Sequence, residues 1–303
     1  MRIGIFAGDV IDRGGDVDAI VAAAKEAGDQ GFASFWLPQI FSFDALTVLA
    51  IVGREVGTIE LGTAVVPTYP RHPMMLAAQA LTTNAIAGGR LALGIGLSHQ
   101  IVIENMLGYS YAKPVRHMTE YLSILAPLIR EGSVAFTGET LTGNAAITVP
   151  GSTPCAILVA ALGPKMLELT GTVADGTVTW MTGPATIANH IGPSIRSAAE
   201  AAGRPEPRIV SSLPVLVTDD PAGARARADK AFAIYGQLPA YRAMLDREGA
   251  AGPADVAIVG DEAAVSAGIQ AIADAGATDF IAAEFGAGTD ERARTRDLLR
   301  SLL

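Results

Sequence analysis

Residues 59–99 constrain the fold of this chain more than any other stretch. They begin with an apolar strand pattern at 61–66, which a proline-rich loop separates from a long Ala-rich helix pattern. Gly88 and Gly89 suit the end of that helix, and a second apolar strand pattern follows at 90–95. Neither strand has a polar face, which is typical of a βαβ unit in a parallel sheet. The two strand ends are then neighbours at one rim, where α/β folds bind their ligands.

The same alternation of strand and helix patterns continues along the chain. Further apolar strand patterns lie at residues 2–6, 33–37, 156–160, 176–181, 208–217 and 277–284. With the two strands above they make eight, which predicts one α/β domain over residues 1–303, a (β/α)8 TIM barrel. Insertions are predicted after the fourth strand and near the C-terminal strands.

The insertions and loops differ in pattern. Residues 100–114 form a long connection of the kind that often serves as a lid, and 134–150 alternate as in a hairpin. Residues 7–15 and 249–260 are predicted to be irregular connections.

Composition excludes several classes of protein. Half of the 303 residues are hydrophobic and 17% are charged, which suffices for one large core. The formal net charge of -9 argues against binding to nucleic acid or to an anionic membrane. The single cysteine, Cys155, excludes an intrachain disulfide and fits a buried structural thiol. With no signal-peptide pattern and no bilayer-spanning apolar run, we expect a cytoplasmic protein that acts on a small molecule.

Few side chains in the sequence could perform chemistry by themselves. The four histidines are scattered, and no HxH or HExxH spacing joins two of them, so no metal site is predicted. A GxSxG nucleophile elbow is also absent. A chain so poor in reactive groups is expected to rely on a bound cofactor.

Three blocks of sequence resemble the luciferase-like monooxygenase superfamily, and more closely its branch that uses the deazaflavin coenzyme F420. The first runs from LGTAV at residue 61 to GGRLALGIGLSH, which ends at His99. The second comprises Glu131-Gly and the following VAFTG. The third runs from PCAILVAALGPKML at residue 154 to ADGTVTW, which ends at Trp180. The resemblance covers nearly the whole chain and implies an oxidoreductase that transfers hydride with F420, FMN being the alternative cofactor.

The resemblance assigns cofactor contacts to four strand ends. It implies a bulge with a non-proline cis peptide between Ala64 and Val65, which presses on one face of the ring system. It implies that the Gln39 side chain forms a hydrogen bond to the cofactor ring. The remaining cofactor-binding candidates lie in two turns: Gly96, Leu97, Ser98 and His99 in one, and Ala160, Ala161, Leu162 and Gly163 in the other. The second turn precedes a helix with proline at its first position, and backbone N–H groups there suit the cofactor phosphate.

Two departures from the sugar-phosphate dehydrogenases of the family bear on the reaction. Those enzymes carry Asp-His at the end of the second strand, the His acting as base, whereas Gln39 and Ile40 stand here. The family resemblance implies that those enzymes have a glutamate at the position that corresponds to His99. Because Ile40 cannot accept a proton, reduction of an activated C=C or C=N bond is favoured over alcohol oxidation. His99 is the candidate proton or hydrogen-bond donor and Gln39 the second catalytic candidate; a surface histidine is the alternative interpretation of His99.

Other interpretations remain open at this stage. The chain could be an FMN-dependent monooxygenase on the same barrel, or a flavin-binding protein without catalysis. Arg71 and His72 are weaker phosphate candidates than the turn before Pro164, and residues 180–184 lack any lysine or arginine, which argues against a phosphorylated substrate. The resemblance also implies a homodimer, which we place at the helices between residues 50 and 87.

Overall fold

A computed structural model describes all 303 residues and contains twelve strands. In chain order they are β1 (Arg2–Phe6), β2 (Ser34–Leu37), β3 (Glu60–Thr63), β4 (Val66–Pro67), β5 (Leu91–Gly96), β6 (Ser133–Thr137), β7 (Thr142–Ala146), β8 (Ala156–Val159), β9 (Gly176–Trp180), β10 (Arg208–Val217), β11 (Ile258–Gly260) and β12 (Asp279–Glu284). Eight of them, in the order β12-β1-β2-β3-β5-β8-β9-β10, pair in parallel, and β10 pairs again with β12. The sheet is therefore closed, and the predicted (β/α)8 barrel is confirmed.

Helices connect these strands. In chain order they are α1 (Gly8–Asp12), α2 (Val17–Asp29), α3 (Ala45–Glu55), α4 (Pro73–Ile86), α5 (Pro114–Arg130), α6 (Pro164–Val173), α7 (Pro184–Thr186), α8 (Gly192–Ala201), α9 (Pro221–Phe232), α10 (Pro239–Glu248), α11 (Pro253–Val256), α12 (Glu262–Asp274) and α13 (Thr289–Ser301). Asp16, Asp44 and Asp261 cap α2, α3 and α12, each accepting a hydrogen bond from the backbone N–H three residues on. None of the helices combines the length and apolar character that crossing a bilayer requires.

Most differences between the structure and the sequence predictions are short helices and strands that were not predicted. The connection at 7–15 contains α1, and that at 249–260 contains α11 and β11. The long connection after β5 begins with a π-helix, Ile101–Met106. Such elements contain six residues or fewer, too few to show a hydrophobic period. The hairpin insertion is confirmed, since β6 and β7 pair antiparallel.

Side chains at alternate strand positions fill the barrel in layers. At its N-terminal end Arg208 binds Glu60 and Asp279, each at 2.8 Å. Above this charged layer lies an apolar one of six buried residues: Trp36, Ala92, Leu158, Val178, Val210 and Ile281. Phe6, Ala64, Val65 and Ala160 pack on that layer and are only partly buried. These four residues, which we call the floor, line the open C-terminal mouth of the barrel.

Candidate active site

The floor begins at an interruption of the third barrel strand. The peptide bond between Ala64 and Val65 is cis, which confirms the predicted bulge. The hydroxyl of Thr63 donates to the carbonyl of Gly94 at 2.7 Å and accepts from the Gly94 N–H at 2.8 Å. This pair of hydrogen bonds ties the bulge to β5 and holds Ala64 and Val65 at the mouth.

Gly96 lies where a side chain would not fit. A Cβ atom there would approach Val65 Cγ2 to 2.7 Å and Ala160 Cβ to 3.2 Å. The glycine therefore lets backbone, rather than a side chain, form this part of the mouth. Two residues later Ser98 has a φ of 60°, a left-handed conformation that residues other than glycine rarely adopt and that is frequent at functional sites. The Tyr111 hydroxyl donates to the Ser98 carbonyl at 3.3 Å, which supports this turn.

His99 follows directly and is half-buried. Its ring meets that of Tyr241 edge to face, with 5.8 Å between the ring centroids. Burial lowers the pKa of His99 below its ordinary 6.5, and no charged neighbour opposes this effect. The imidazole is therefore mainly neutral at pH 7, where it carries one N–H donor and one acceptor nitrogen.

Gln39 lies at the mouth after β2 and is half-buried. Its side-chain oxygen accepts hydrogen bonds from the Ala45 N–H at 3.2 Å and from Arg71 Nη1 at 3.3 Å. The oxygen is thus engaged, and the amide NH2 is the group that Gln39 can offer to a ligand. Its neighbour Ile40 is 66% exposed and has no group that could accept a proton.

The two weaker phosphate candidates have structural roles. Arg71 forms an ion pair with Asp44 in addition to its bond to Gln39. His72 caps α4, its Nδ1 accepting from the Met74 N–H at 3.3 Å. Neither side chain is free to meet an anion at the mouth.

The turn after β8 presents backbone donors. Ala160 donates to the Ile95 carbonyl and Ala161 to the Thr177 hydroxyl, whereas the N–H groups of Leu162, Gly163 and Lys165 have no acceptor in the protein. Gly163 is the N-cap of the ten-residue helix α6, which has no side-chain cap, and the space around its missing Cβ is open. Free N–H groups at a helix N-terminus are suited to binding an anion.

His190 holds this turn in place, a role that sequence reasoning missed. It is buried in the π-helical turn after α7, and its Nε2 lies 2.8 Å from the Leu162 carbonyl. A carbonyl oxygen only accepts, so Nε2 carries the hydrogen of this bond. Nothing in the sequence near His190 indicates the contact, because the two residues lie 28 positions apart.

Sequence reasoning also missed an aromatic wall, which we define as Trp180, Phe232, Tyr235 and Tyr241. Trp180 meets Phe232 and Tyr235 edge to face, with ring centroids 5.7 and 5.9 Å apart. Tyr235 meets Tyr241 in the same way at 5.0 Å. Trp180 also stacks on Phe6 of the floor at 6.0 Å. The wall therefore borders the mouth from the floor to the Tyr241–His99 contact.

Two buried donors beside the mouth have no hydrogen-bond partner, the Tyr69 hydroxyl and Trp180 Nε1. Trp180 Nε1 makes no hydrogen bond, although its surface is fully buried. Unpaired buried N–H groups are costly, and at a binding site a ligand often satisfies them. The side-chain-free backbone at Gly96 and the free N–H groups before α6 suit a ligand with a planar ring and an anionic tail.

The remaining candidates for chemistry are weak. No three His, Cys, Asp or Glu side chains converge where a metal ion could bind. Burial raises the pKa of the Cys155 thiol to about 12, so Cys155 is a structural thiol, as its apolar surroundings predicted.

A second stack of rings flanks the mouth beside β4. Tyr69 lies parallel to His117, with ring centroids 3.9 Å apart, and stacks on its other side against Tyr111 at 5.5 Å. His117 Nε2 is 3.0 Å from the Thr68 hydroxyl. Burial lowers the pKa of His117 to about 4, against a smaller opposing effect of Glu120.

We expect the depressed pKa of His117 to make the protein less stable in mild acid. Between an unfolded pKa near 6.5 and the folded value of about 4, the unfolded chain binds more protons, so stability falls as pH falls. For a partly exposed group the loss between pH 7 and pH 5 is about 1 kcal/mol. Urea unfolding of wild type and of His117→Phe, which keeps a ring against Tyr69, measures it. An equal loss in both proteins would assign the effect to other groups.

The fold is that of a (β/α)8 barrel, a class whose enzymes have their active sites at the carboxyl ends of the strands. The model of the luciferase-like monooxygenase family matches residues 1–298, so the chain belongs to that family. The prediction of an oxidoreductase of this class is thereby confirmed.

Two relatives by sequence and one solved structure show what this chain is similar to. The 5,10-methylenetetrahydromethanopterin reductase of Archaeoglobus fulgidus is 31% identical over 234 residues, covering 74% of this chain and 68% of that protein. The F420-dependent glucose-6-phosphate dehydrogenase of Kineococcus radiotolerans is 27% identical, covering 69% of this chain and 66% of that protein. The solved oxygenating constituent of 3,6-diketocamphane monooxygenase of Pseudomonas putida, in complex with FMN, superposes with a TM-score of 0.75 at 18% identity, covering 99% and 96% of the two chains.

Proposed function

We propose that this protein is a coenzyme F420-dependent oxidoreductase that reduces an activated C=C or C=N bond of a small organic substrate. The observation that carries the proposal is the junction of the floor with the turn before α6. There the side-chain-free backbone at Gly96 adjoins Val65 and Ala160, and free N–H groups follow at Leu162 and Gly163. A planar ring and an anionic tail, the two parts of a deazaflavin cofactor, match these two surfaces.

Each part of the mouth has a role in this proposal. Ala64 and Val65 support one face of the ring, and the amide NH2 of Gln39 donates a hydrogen bond to its polar edge. The segment Gly96, Leu97, Ser98 and His99 borders the ring. The turn of Ala160, Ala161, Leu162 and Gly163 holds the phosphate, and the free backbone N–H groups of Leu162 and Gly163 donate to it. The free N–H groups at Leu162 and Gly163, and the glycine at position 96, support this placement.

The reaction needs a hydride and a proton. Reduced F420 supplies the hydride when bound, and the substrate double bond accepts it at one atom. The other atom of that bond takes a proton, which His99 is positioned to donate or to direct from water. The absence of a proton acceptor at Ile40 supports reduction over alcohol oxidation. The Archaeoglobus fulgidus relative, a reductase by name, also favours this direction.

Cofactor titration tests the proposal. We expect purified protein to bind F420 with a change in its absorbance spectrum, and to oxidise reduced F420 with an added acceptor at a rate that does not depend on oxygen. Tight binding of FMN, with oxygen consumption when a flavin reductase is present, would overturn it. That outcome would support the second candidate, an FMN-dependent monooxygenase, which the superposed FMN complex favours. Cofactor binding without turnover of any acceptor would support the third, a non-catalytic flavin-binding protein.

We further propose a homodimer through α3 and α4. A shallow groove of about 420 Å³ between these helices is lined by three apolar and four uncharged polar side chains: Leu46, Thr47, Ala50, Ala78, Gln79, Thr82 and Thr83. Ile51, Met75 and Ile86 on the same two helices are exposed by 40, 61 and 41%. Exposed apolar area of this kind is typical of a protein interface.

Light scattering at micromolar concentration is expected to give the mass of a dimer. Ala78→Glu puts a charge into the groove and should shift the mass to that of the monomer, whereas Ala263→Glu on the exposed side of α12 should not. A wild-type monomer would count against the proposal.

A further inference from the structure

The segment that contributes three of the four rings of the aromatic wall carries no charge. Residues 232–241 read FAIYGQLPAY and contain no Asp, Glu, Lys or Arg. The strand ends that face it are also uncharged: GLSH at 96–99 and WMTG at 180–183. A surface segment without charges that lines a mouth is typical of a binding site for an apolar ligand.

The wall is built of crossed rings. The pairs Trp180–Tyr235, Tyr235–Tyr241 and Tyr241–His99 have interplanar angles of 75, 72 and 63°. Rings packed edge to face leave ring faces and edges for a further ring, and aromatic pairs prefer the same offset or perpendicular geometries. The geometry therefore suits a flat ligand better than a bulky saturated one.

The position of the wall is fixed from two sides. Glu248, at the end of α10, accepts hydrogen bonds from the N–H groups of Ala185 at 3.0 Å and Thr186 at 2.7 Å. Trp180 stacks on the floor residue Phe6. The helix start after β9, which could otherwise meet an anion, is thus occupied by the protein's own carboxylate.

The side-chain charges around the mouth do not favour an anionic substrate. Arg71 pairs with Asp44, Arg116 with Glu139, and Arg227 with Glu291. Burial raises the pKa of Tyr235 against a smaller opposing effect of the neighbouring Trp180 side chain, and the negative charge of Asp12 adds to the rise. The cations near the mouth are therefore neutralised, and a carboxylate lies near the wall.

We propose that the aromatic wall is the substrate subsite and that it binds an uncharged, planar, conjugated ring against Tyr241, next to His99. This inference rests on the proposed function, since the hydride donor is the cofactor. It adds the substrate class, and it excludes phosphorylated and carboxylated substrates as preferred ligands.

Binding without cofactor tests the inference directly. The probe is quinoxaline, a neutral bicyclic ring with C=N bonds; quinoxaline-2-carboxylate adds a charge, and 2-decalone is a saturated bicyclic control. The chain has two tryptophans, of which Trp36 is buried below the floor, so quenching of Trp180 fluorescence reports on the wall. We expect quinoxaline to bind, and both other compounds to bind at least about tenfold more weakly, as for an unpaired charge or a lost ring contact. Calorimetry provides an independent affinity.

Variants identify the residue responsible. Tyr241→Leu should weaken quinoxaline binding about fivefold, the scale of one aromatic contact, whereas Tyr241→Phe should retain it. Tyr109→Leu, at an exposed position outside the wall, is the matched control and should bind as wild type does. If the carboxylate bound as tightly as quinoxaline, or if the leucine variant and the wild type were equal, the inference would be wrong.

A cofactor titration in the same variants separates this inference from the proposed function. Failure to bind F420 while quinoxaline binds at Tyr241 would overturn the proposed function and leave the subsite in place. Binding of F420 without selective quinoxaline binding would overturn the subsite alone.

Discussion

Replacing Gly163 by aspartate is expected to abolish binding of F420 while leaving the fold intact. The space around the missing Cβ is open, and the backbone, with φ of −78° and ψ of 153°, is that of an ordinary N-cap residue. Aspartate is among the best N-cap residues, so its carboxylate would accept hydrogen bonds from the first turn of α6. Its charge would lie beside the free N–H groups of Leu162 and Gly163, which we assign to the phosphate, and it would repel that phosphate. We expect an affinity loss of at least about 100-fold.

The measurement is a titration with F420, combined with thermal unfolding of each variant. The melting temperature of Gly163→Asp should equal or slightly exceed that of wild type, since a cap is gained. Gly163→Asn is the matched control, because it caps the helix without a charge and should lose less affinity. Wild-type affinity in the aspartate variant would show that the phosphate lies elsewhere.

Replacing His99 by alanine is expected to slow turnover by about 100-fold or more, the usual effect of removing a positioned proton donor. Cofactor affinity should change little, because backbone groups form most of that site. Single-turnover oxidation of reduced F420 by an excess of acceptor measures the chemical step. An unchanged rate in His99→Ala would show that the residue only borders the pocket.

The pH profile distinguishes two roles of His99. If the protonated ring donates, the rate should fall as pH rises through the pKa of His99, which burial places below 6.5. If the neutral N–H only orients the acceptor and the proton comes from water, the profile should be flat through this range. His99→Gln has a similar reach and cannot titrate, so near-normal turnover in this variant would support the second role.

The two catalytic candidates, His99 and Gln39, show what a local sequence pattern predicts about a side chain and what it does not. His99 was predicted at a strand end, and the structure places it at the mouth of the barrel against Tyr241. Gln39 also follows a strand, yet its oxygen is bound by Ala45 and Arg71, a contact across 32 positions in the latter case. A strand end predicts which rim a side chain is near, since parallel strands share a direction. It does not predict which other residues of the protein form hydrogen bonds with that side chain.

The sequence by itself determined the barrel and the positions of its strands. Eight apolar segments that are joined by helix patterns have few other ways to bury their surfaces, and their carboxyl ends must then meet at one mouth. The glycine at 96 and the proline after Gly163 reflect local backbone requirements. Their roles could therefore be predicted without knowing which distant residues they contact.

Only the tertiary structure decided how the mouth is completed. The aromatic wall joins Trp180 to residues more than 50 positions later, and His190 supports a turn 28 positions earlier. Arg71 and His72 were open as phosphate candidates until their partners Asp44 and the α4 backbone were seen. Contacts of this kind depend on where whole elements pack. Hydrophobic periodicity specifies that an element is buried on one face, but not which distant side chain it meets there.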